Sequence, residues 1–275
     1  DSPLVHTLRN LEDMDRIKAV VDAGRGRAVV IGGGYIGIEM VEALRHREWQ
    51  VTLLEAADQV MGPLDPEMAQ QVQAELARNG VQLHLGTKAE GFTDTSVLTS
   101  DGVLPADLVV LAIGVLPESS LARFAGLHTT DRGAIVVDAH QVTSDPDVYA
   151  VGDSVQVTDT VTGEPTVVPL AGPANRQGRI AADHMFGRDA RYTTTQGTAI
   201  VKVFDLTAGG TGANEKILRR HGIDYRKVYV HPNGHASYYP GTAAMHLKLL
   251  FAADDGRVLG GQVVGYDGVD KRIDV

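Results

Sequence analysis

The 275-residue chain is long enough to bury more than one core, so we expect two or three domains. Its formal net charge of −10 argues against nucleic acid as the main partner. The chain contains no cysteine, which excludes a disulfide framework, a zinc–thiolate site and a thiol nucleophile within these residues. Glycine or charge interrupts every long apolar run, so we expect no membrane span, and the first residues lack signal-peptide character, so we expect a cytoplasmic protein.

The first part of the sequence alternates strands and helices. An extended lead-in over 1–10 precedes a helix over 11–23 that Asn10 caps. Further elements are predicted as strands over 27–31, 51–54, 81–85 and 108–113, helices over 35–47 and 66–79, and a hairpin that turns at 101–102. Asp65 is the expected N-cap of the helix over 66–79. This order predicts an α/β domain over 11–126, in which a parallel sheet binds ligands at the carboxyl ends of its strands.

The composition changes after about residue 126. Short strands are predicted over 135–138 and 148–151, followed by a polar loop over 158–166 and a helix over 174–186. Strands over 199–204, 226–230, 246–252 and 258–264, with a helix over 213–221, indicate an antiparallel α+β unit. We therefore expect a segment over 127–190 and a separate domain over 191–275.

A glycine-rich turn follows the strand over 27–31. Gly32, Gly34 and Gly37 have the G-x-G-x-x-G spacing of dinucleotide-binding proteins. The first glycine permits the tight turn, the second lets the backbone approach a pyrophosphate, and the third lets the helix pack closely on the strand. The N-terminus of that helix then presents free N–H groups to the phosphates. The alternative is an ordinary strand–turn–helix unit without a ligand.

Glu55 closes the next strand, 18 positions after Gly37. A carboxylate at this place accepts the ribose hydroxyls of NAD. Ala56 and Ala57 follow, and neither supplies a cation for a 2′-phosphate, so the sequence favours NADH over NADPH. His231 and His235 are separated by Pro232 and Gly234 and do not share one helical face, so we predict no metal site there.

Three sequence blocks in order resemble the pyridine nucleotide–disulfide oxidoreductase family. They are Gly-Gly-Gly-Tyr-Ile-Gly-Ile-Glu at 32–39, Ala-Ile-Gly-Val-Leu-Pro at 112–117 and Tyr-Ala-Val-Gly-Asp at 149–153. The segments 7–13, 235–241 and 265–274 resemble the single-cysteine branch, which includes CoA-disulfide reductases, NADH oxidases, NADH peroxidases and persulfide reductases. The resemblance implies a Rossmann-like NADH-binding domain, part of an FAD-binding domain over 127–190 and a truncated α+β dimerisation domain.

The resemblance also assigns roles to individual residues. NADH would contact Gly32, Gly33, Gly34, Tyr35, Ile36, Gly37 and Glu55, and the turn with Ile113 and Gly114 would lie near the nicotinamide. FAD would contact Gly152, Asp153, Leu170 and Ala171. Catalytic roles would fall to Glu39 and Tyr35 beside the cofactors, and to Tyr238 or Tyr239 across a homodimer.

Each of these roles has a structural alternative. Glu39 suits any helix N-terminus, Tyr35 could be packing, and the two tyrosines could belong to a half-buried strand pair. The Gly152-Asp153 pair alone could be a surface turn. Lys271 and Arg272 could meet phosphates of CoA or form interface ion pairs.

The implied activity passes hydride from NADH to FAD and then to a cysteine that reduces a CoA disulfide, a persulfide or another small disulfide. Because the chain has no cysteine, that residue would lie outside it, and we expect the chain to be a fragment that lacks the family's N-terminal FAD-binding half and its C-terminal end. The alternatives are an NADH oxidase or peroxidase and, for these residues alone, an inactive NADH-binding and dimerisation module.

Overall fold

A five-stranded parallel sheet forms the centre of the first unit of this computed structural model, which describes residues 2–274. The elements of this unit are β1 (Val5–Thr7), α1 (Leu11–Asp22), β2 (Arg27–Ile31), α2 (Tyr35–His46), β3 (Gln50–Glu55), α3 (Pro66–Arg78), β4 (Gln82–Leu85), β5 (Ala89–Phe92), β6 (Ser96–Thr99), β7 (Gly102–Pro105) and β8 (Leu108–Leu111). The sheet order is β1-β8-β2-β3-β4, and every neighbouring pair is parallel. The strand order reverses between β8 and β2, which is where such sheets bind ligands.

The middle of the chain contains few regular elements. They are α4 (Ser120–Phe124), β9 (Val157–Thr158), β10 (Pro165–Thr166) and α5 (Ala171–Met185). Strands β9 and β10 pair as a short antiparallel hairpin where the sequence predicted a polar loop. Helix α5 begins three residues before the predicted helix, because proline is tolerated in a first helical turn and Pro173 therefore does not delay the start.

A five-stranded antiparallel sheet forms the last unit. Its elements are β11 (Ala199–Val203), β12 (Leu206–Gly212), α6 (Glu215–Arg220), β13 (Tyr225–Val230), β14 (Met245–Ala252), β15 (Val258–Gly265) and α7 (Val269–Asp274), and the sheet order is β11-β12-β15-β14-β13. The predicted antiparallel α+β unit is thus confirmed. Among residues 2–274, no helix combines the length and the apolar character needed to cross a bilayer.

The main hydrophobic core continues from the parallel unit into the antiparallel unit. Val30 and Leu53 from the parallel sheet, Leu64 from the connection between β3 and α3, and Val203 and Val264 from the antiparallel sheet belong to one buried cluster. Polar contacts cross the same boundary; for example, Glu42 Oε2 accepts a hydrogen bond from Phe204 N at 2.8 Å. The two units therefore share their packing.

Two predicted strands are wrong. The segments over 135–138 and 148–151 form only isolated bridges, with Ile135 opposite Thr129 and Val155, and Tyr149 opposite Val142. A strand needs a run of consecutive paired residues, and within residues 2–274 these segments contain only isolated paired residues. The extended lead-in, by contrast, is an edge strand, because residues 5–7 of β1 pair with β8.

Besides β5, β9 and β10, three further elements were not predicted. Helices α4 and α7 are short, and β12 has the sequence Leu-Thr-Ala-Gly-Gly-Thr-Gly, which reads as a loop. The glycines of β12 allow close packing: a Cβ on Gly209 would lie 3.3 Å from Ile273 Cγ2, and one on Gly210 would lie 3.7 Å from Leu64 Cδ2.

Candidate functional site

The glycine turn at the end of β2 has no room for a side chain at two of its positions. Gly32 has a φ of +110°, and a Cβ there would overlap the carbonyl group of Ala112. A Cβ on Gly37 would overlap the carbonyl oxygen of Gly32. The turn is therefore pressed between the end of β8 and the first turn of α2, as the spacing of the motif predicted.

Gly34 is different, because the space beside it is open. Within residues 2–274, no heavy atom outside Gly34 and its neighbours along the chain lies within 4 Å of the position that a Cβ on Gly34 would take. Gly34 is also the N-cap of α2, and no side chain caps this helix end. The N–H groups of its first turn have no acceptor within the helix. An open approach to uncapped N–H groups fits a bound pyrophosphate.

The carboxylate of Glu55 is held beside the glycine turn. Its Oε2 accepts a hydrogen bond from Gly33 N at 2.6 Å, and its Oε1 accepts one from Ala57 N at 2.8 Å. Each carboxylate oxygen can accept a second hydrogen bond. Glu55 is half-buried, whereas Ala56 and Ala57 are exposed. This fixed acceptor fits a pair of ribose hydroxyls, and the residues after it, 56–64, include no lysine or arginine.

The residues expected near the nicotinamide flank the same turn. A Cβ on Gly32 would lie 3.2 Å from Ile113 N, so the segment with Ile113 and Gly114 lies next to the glycines. Ile113 is 74% exposed, and Glu39 is exposed on α2. Tyr35 is half-buried against the main core, and burial raises the pKa of its phenol. The segment with Ile113 and Gly114 thus lies beside the glycine turn, and the Tyr35 ring packs against the main core in this conformation.

The Gly-Asp pair lies beside the start of α5. Gly152 N donates a hydrogen bond to Oε1 of the buried Gln177 at 2.7 Å, and Gly152 has a φ of +91°. A Cβ on Gly152 would lie 4.0 Å from the Cβ of Ala174 in the first turns of α5. Leu170 is the N-cap of that helix and Ala171 is its first residue, so the predicted FAD contacts lie around one helix end. Asp153 is exposed. The sequence analysis did not identify Gln177. It lies one helical turn after Ala174, and this position on the predicted helix was the available signal.

Tyr238 and Tyr239 lie on an exposed turn between β13 and β14. Tyr238 is 82% exposed, and the two ring centroids are 4.9 Å apart. The alternative of a half-buried strand pair is therefore wrong. His231, which was weighed as a metal ligand with His235, instead has its Nδ1 2.9 Å from that of His246.

A buried charge cluster, which sequence reasoning missed, joins the two units. The ammonium of Lys248 on β14 is fully buried and lies 2.7 Å from Oδ2 of Asp65. It also pairs with Glu67 at the start of α3 and with Glu215 at the start of α6. The signal in the sequence was a lysine two positions before Leu250, on the same face of a predicted strand, because a buried lysine needs anionic partners.

Charge pairing dominates the protonation of this cluster. Burial lowers the pKa of Lys248, but its hydrogen bonds to Asp65, Glu215 and Glu67 outweigh burial and raise that pKa above its ordinary value. Burial likewise raises the pKa of Glu215, and the donors Lys227, Lys248 and Tyr225 outweigh it and lower the pKa to about 2. Lys248 and Glu215 are therefore both ionised at neutral pH.

Asp65 occupies the predicted N-cap position of α3, but its carboxylate does not cap that helix. Its Oδ1 accepts a hydrogen bond from Glu215 N at 3.0 Å, at the start of α6, and its Oδ2 accepts one from Gln262 Nε2 at 2.7 Å. The expected capping by its side chain is wrong, because Glu215 N, Gln262 Nε2 and the Lys248 ammonium of the packed antiparallel unit engage the carboxylate instead. Asp65, Glu67 and Glu215 approach one another as metal ligands would, but the Lys248 ammonium supplies the positive charge.

Comparisons with known proteins cover almost the whole chain. The profile described as pyridine nucleotide-disulphide oxidoreductase matches residues 1–178, and that of the family's dimerisation domain matches residues 198–275. An NADH oxidase of Methanocaldococcus jannaschii is 37% identical over 98% of this chain and 61% of its own length. A coenzyme A disulfide reductase of Staphylococcus aureus strain JH9 is 31% identical over 100% of this chain and 63% of its own length.

Two solved structures share the fold closely. Reduced CoADR-RHD of Bacillus anthracis superposes with a TM-score of 0.96 and 48% identity, over 99% of this chain and 50% of that one. An NAD-dependent persulfide reductase from A. fulgidus superposes with a TM-score of 0.95 and 39% identity, over 98% of this chain and 51% of that one. The chain thus spans about three fifths of the length of these curated relatives.

Proposed function

The chain belongs to the pyridine nucleotide-disulphide oxidoreductase family, and from that premise we propose that it is the NADH-binding and dimerisation part of an FAD-dependent disulfide reductase. The observation that carries the proposal is the glycine turn, which excludes side chains at Gly32 and Gly37, is open at Gly34 and lies within hydrogen-bonding reach of Glu55. The nicotinamide would supply a hydride and the flavin would accept it.

The residues of the turn would bind and orient the nucleotide. Backbone N–H groups at the start of α2 would donate to the pyrophosphate, and Glu55 would accept from the ribose. Ile113 and Gly114 would border the nicotinamide, and Tyr35 would cover the site until the nucleotide displaces its ring. Glu39 would lie beside the reacting rings, where its charge would influence the developing charge of the flavin.

The residues around α5 would hold the flavin part of the machinery. Asp153 would accept hydrogen bonds from a ribitol chain, and the N–H groups of Leu170 and Ala171 would face the electron-rich edge of the reduced ring. The hydrogen bond from Gly152 to Gln177 supports this arrangement, because it fixes the Asp153 backbone against α5.

The substrate in this proposal is a small disulfide such as a CoA disulfide, or a persulfide. The similarity to a coenzyme A disulfide reductase and to a persulfide reductase supports this class. The reducing thiol would come from residues outside these 275, because the chain contains no cysteine. Tyr238 or Tyr239 would reach across a cytoplasmic homodimer toward that thiol, which their exposure permits. The match to the family's dimerisation domain supports the homodimer.

An NADH oxidase is the second candidate, supported by the similarity to the M. jannaschii NADH oxidase. The protein encoded by the complete reading frame that contains this chain can distinguish the two candidates. Its rate of NADH consumption is measured with dioxygen alone and again, anaerobically, with CoA disulfide. A disulfide reductase consumes NADH under the second condition, whereas an oxidase needs dioxygen.

Nucleotide binding itself can be tested on these residues. NADH and NADPH are titrated separately and followed by nicotinamide fluorescence. We expect NADH to bind more tightly, and we expect Glu55→Ala to weaken NADH binding by about 1–3 kcal/mol, because the ribose hydroxyls lose their acceptor. Glu90→Ala, at an exposed acid on β5, is the matched control. Preferential binding of NADPH, or an unchanged NADH affinity in Glu55→Ala, would contradict the proposal. The visible spectrum of the purified chain shows whether these residues alone retain flavin.

A further inference from the structure

The connection between β3 and α3, residues 56–64, is defined here as the β3–α3 loop, and its inner side supports the glycine turn. Met61 N donates a hydrogen bond to Gly33 O at 2.8 Å. A Cβ on Gly33 would lie 3.0 Å from Cγ1 of Val60, which is fully buried. Met61 has a φ of +50°, a conformation that a residue with a side chain adopts only where its surroundings impose it. The loop is therefore held in one strained shape directly behind the nucleotide site.

The antiparallel unit supplies contacts that help to impose this shape, in addition to the hydrogen bond from Gln59 Nε2 to Leu64 O at 3.0 Å within the loop. Lys216 Nζ donates to Gly62 O at 2.7 Å and to Leu64 O at 3.0 Å. Asn214 Nδ2 donates to Pro63 O at 3.0 Å, while its Oδ1 accepts from Ile217 N at 2.9 Å and caps α6. Side chains from the start of α6 thus donate hydrogen bonds to three consecutive carbonyl groups of the loop.

We propose that Asn214 and Lys216 are positioning residues for nucleotide binding, acting through the β3–α3 loop on Gly33. By fixing the three carbonyl groups, they hold Val60 and Met61 against the glycine turn and keep it in the shape that accepts a pyrophosphate. This inference rests on the proposed NADH function. It assigns to the antiparallel unit a part in nucleotide affinity, in addition to its part in assembly. Because coupling between two events is reciprocal, bound NADH also strengthens the packing of α6 against the loop.

The test measures the NADH dissociation constant of single variants of this chain. Lys216→Met keeps the aliphatic part of the side chain and removes the donors. We expect NADH binding about threefold to tenfold weaker, because only part of the free energy of the lost charge-assisted hydrogen bonds reaches the glycine turn through the loop. Lys216→Arg restores donors and is expected to recover most of the affinity. Asn214→Ser keeps an oxygen that can cap α6 but removes the amide donor, and it is expected to weaken binding about twofold to fivefold.

Lys227→Met is the matched control, because Lys227 contacts Glu215 at 2.8 Å from the outer side and makes no described contact with the loop. It is expected to bind NADH as the wild type does. Amide hydrogen exchange supplies the readout that a purely structural role would not move. Exchange within residues 57–64 should accelerate in Lys216→Met while exchange in β14 and β15 stays slow, and added NADH should restore the protection.

The outcomes separate this inference from the function on which it rests. Wild-type protein that binds no NADH would overturn both. Wild-type protein that binds NADH, with unchanged dissociation constants in Lys216→Met and Asn214→Ser, would overturn the positioning role alone. A loss of affinity that Lys227→Met reproduces would also overturn it, because the effect would then follow the loss of any cation from the unit. A loss in Lys216→Met that Lys216→Arg does not recover even in part would overturn it as well, because the affinity would then not depend on donors at this position.

Discussion

Replacing Lys248 with methionine should destabilise the chain by about 3–5 kcal/mol, because the change removes the cation of a buried cluster and leaves its anions. The ammonium is fully buried, 2.7 Å from Asp65, and also paired with Glu67 and Glu215. Methionine has nearly the same length and volume as lysine, so little of the loss comes from a cavity. The loss of stability therefore reflects mainly the buried anions that are left without their cation.

The pKa of Glu215 gives an independent estimate of the magnitude. The cluster lowers that pKa from its ordinary 4.5 to about 2, which corresponds to about 3 kcal/mol of stability at neutral pH. Lys248 supplies part of that amount, together with Lys227 and Tyr225. Lys248 also balances the fully buried Asp65, so the total loss should exceed its share at Glu215. A loss of this size lowers the melting temperature by roughly 10 °C in a chain of this length.

Urea unfolding followed by tryptophan fluorescence measures this loss. Trp49 is the one tryptophan in the chain and is buried, so its emission reports the unfolding of the main core. Lys227→Met is the control, because Lys227 pairs with Glu215 while 42% exposed, and exposed pairs contribute below about 1 kcal/mol. A loss in Lys248→Met no larger than that of the control would refute the reasoning. The m-value should stay unchanged.

Three further predictions concern other parts of the molecule. Gly34→Ala should leave the free energy of unfolding near that of the wild type but weaken NADH binding at least about tenfold. Gly37→Ala should weaken binding and also destabilise the fold by about 1–3 kcal/mol. Chemical denaturation and NADH titration separate the two effects. The lowered pKa of Glu215 gives stability that is fully present above about pH 4.5 and is lost as the pH falls toward about 2; the slope of unfolding free energy against pH should flatten in Glu215→Gln, and an unchanged slope would contradict this. Glu42→Ala should cost about 1–3 kcal/mol by leaving Phe204 N without its acceptor, and Glu42→Gln should recover part of this in the same assay.

The sequence predicted the packing of the glycine turn well because its signals are local. The spacing of Gly32, Gly34 and Gly37 reflects contacts within one strand–turn–helix unit, and the structure shows those contacts. The position of Glu55 follows from the length of the same unit. Patterns of this kind depend little on the rest of the molecule, so single-sequence reasoning can find them.

Features that depend on distant partners were predicted less well. Asp65 has every local mark of a helix cap, yet donors from α6 and β15 engage its carboxylate. Lys248 lies in a strand whose existence was predicted, but its role depends on residues more than 180 positions earlier. The two false strands over 135–138 and 148–151 failed for a related reason, because apolar, β-branched residues form a strand only where a neighbour pairs with them along their length.

The core that runs from Val30 to Val264 has a consequence for how this architecture can be recombined. A chimera that exchanges the antiparallel unit for that of a relative would confront Met61 and Leu64 with foreign side chains and would separate Asp65 from Lys248. A successful exchange would require the residues on both sides of this core to be replaced together, including those of the β3–α3 loop. In this chain, the antiparallel unit and the glycine turn are therefore constrained to evolve together.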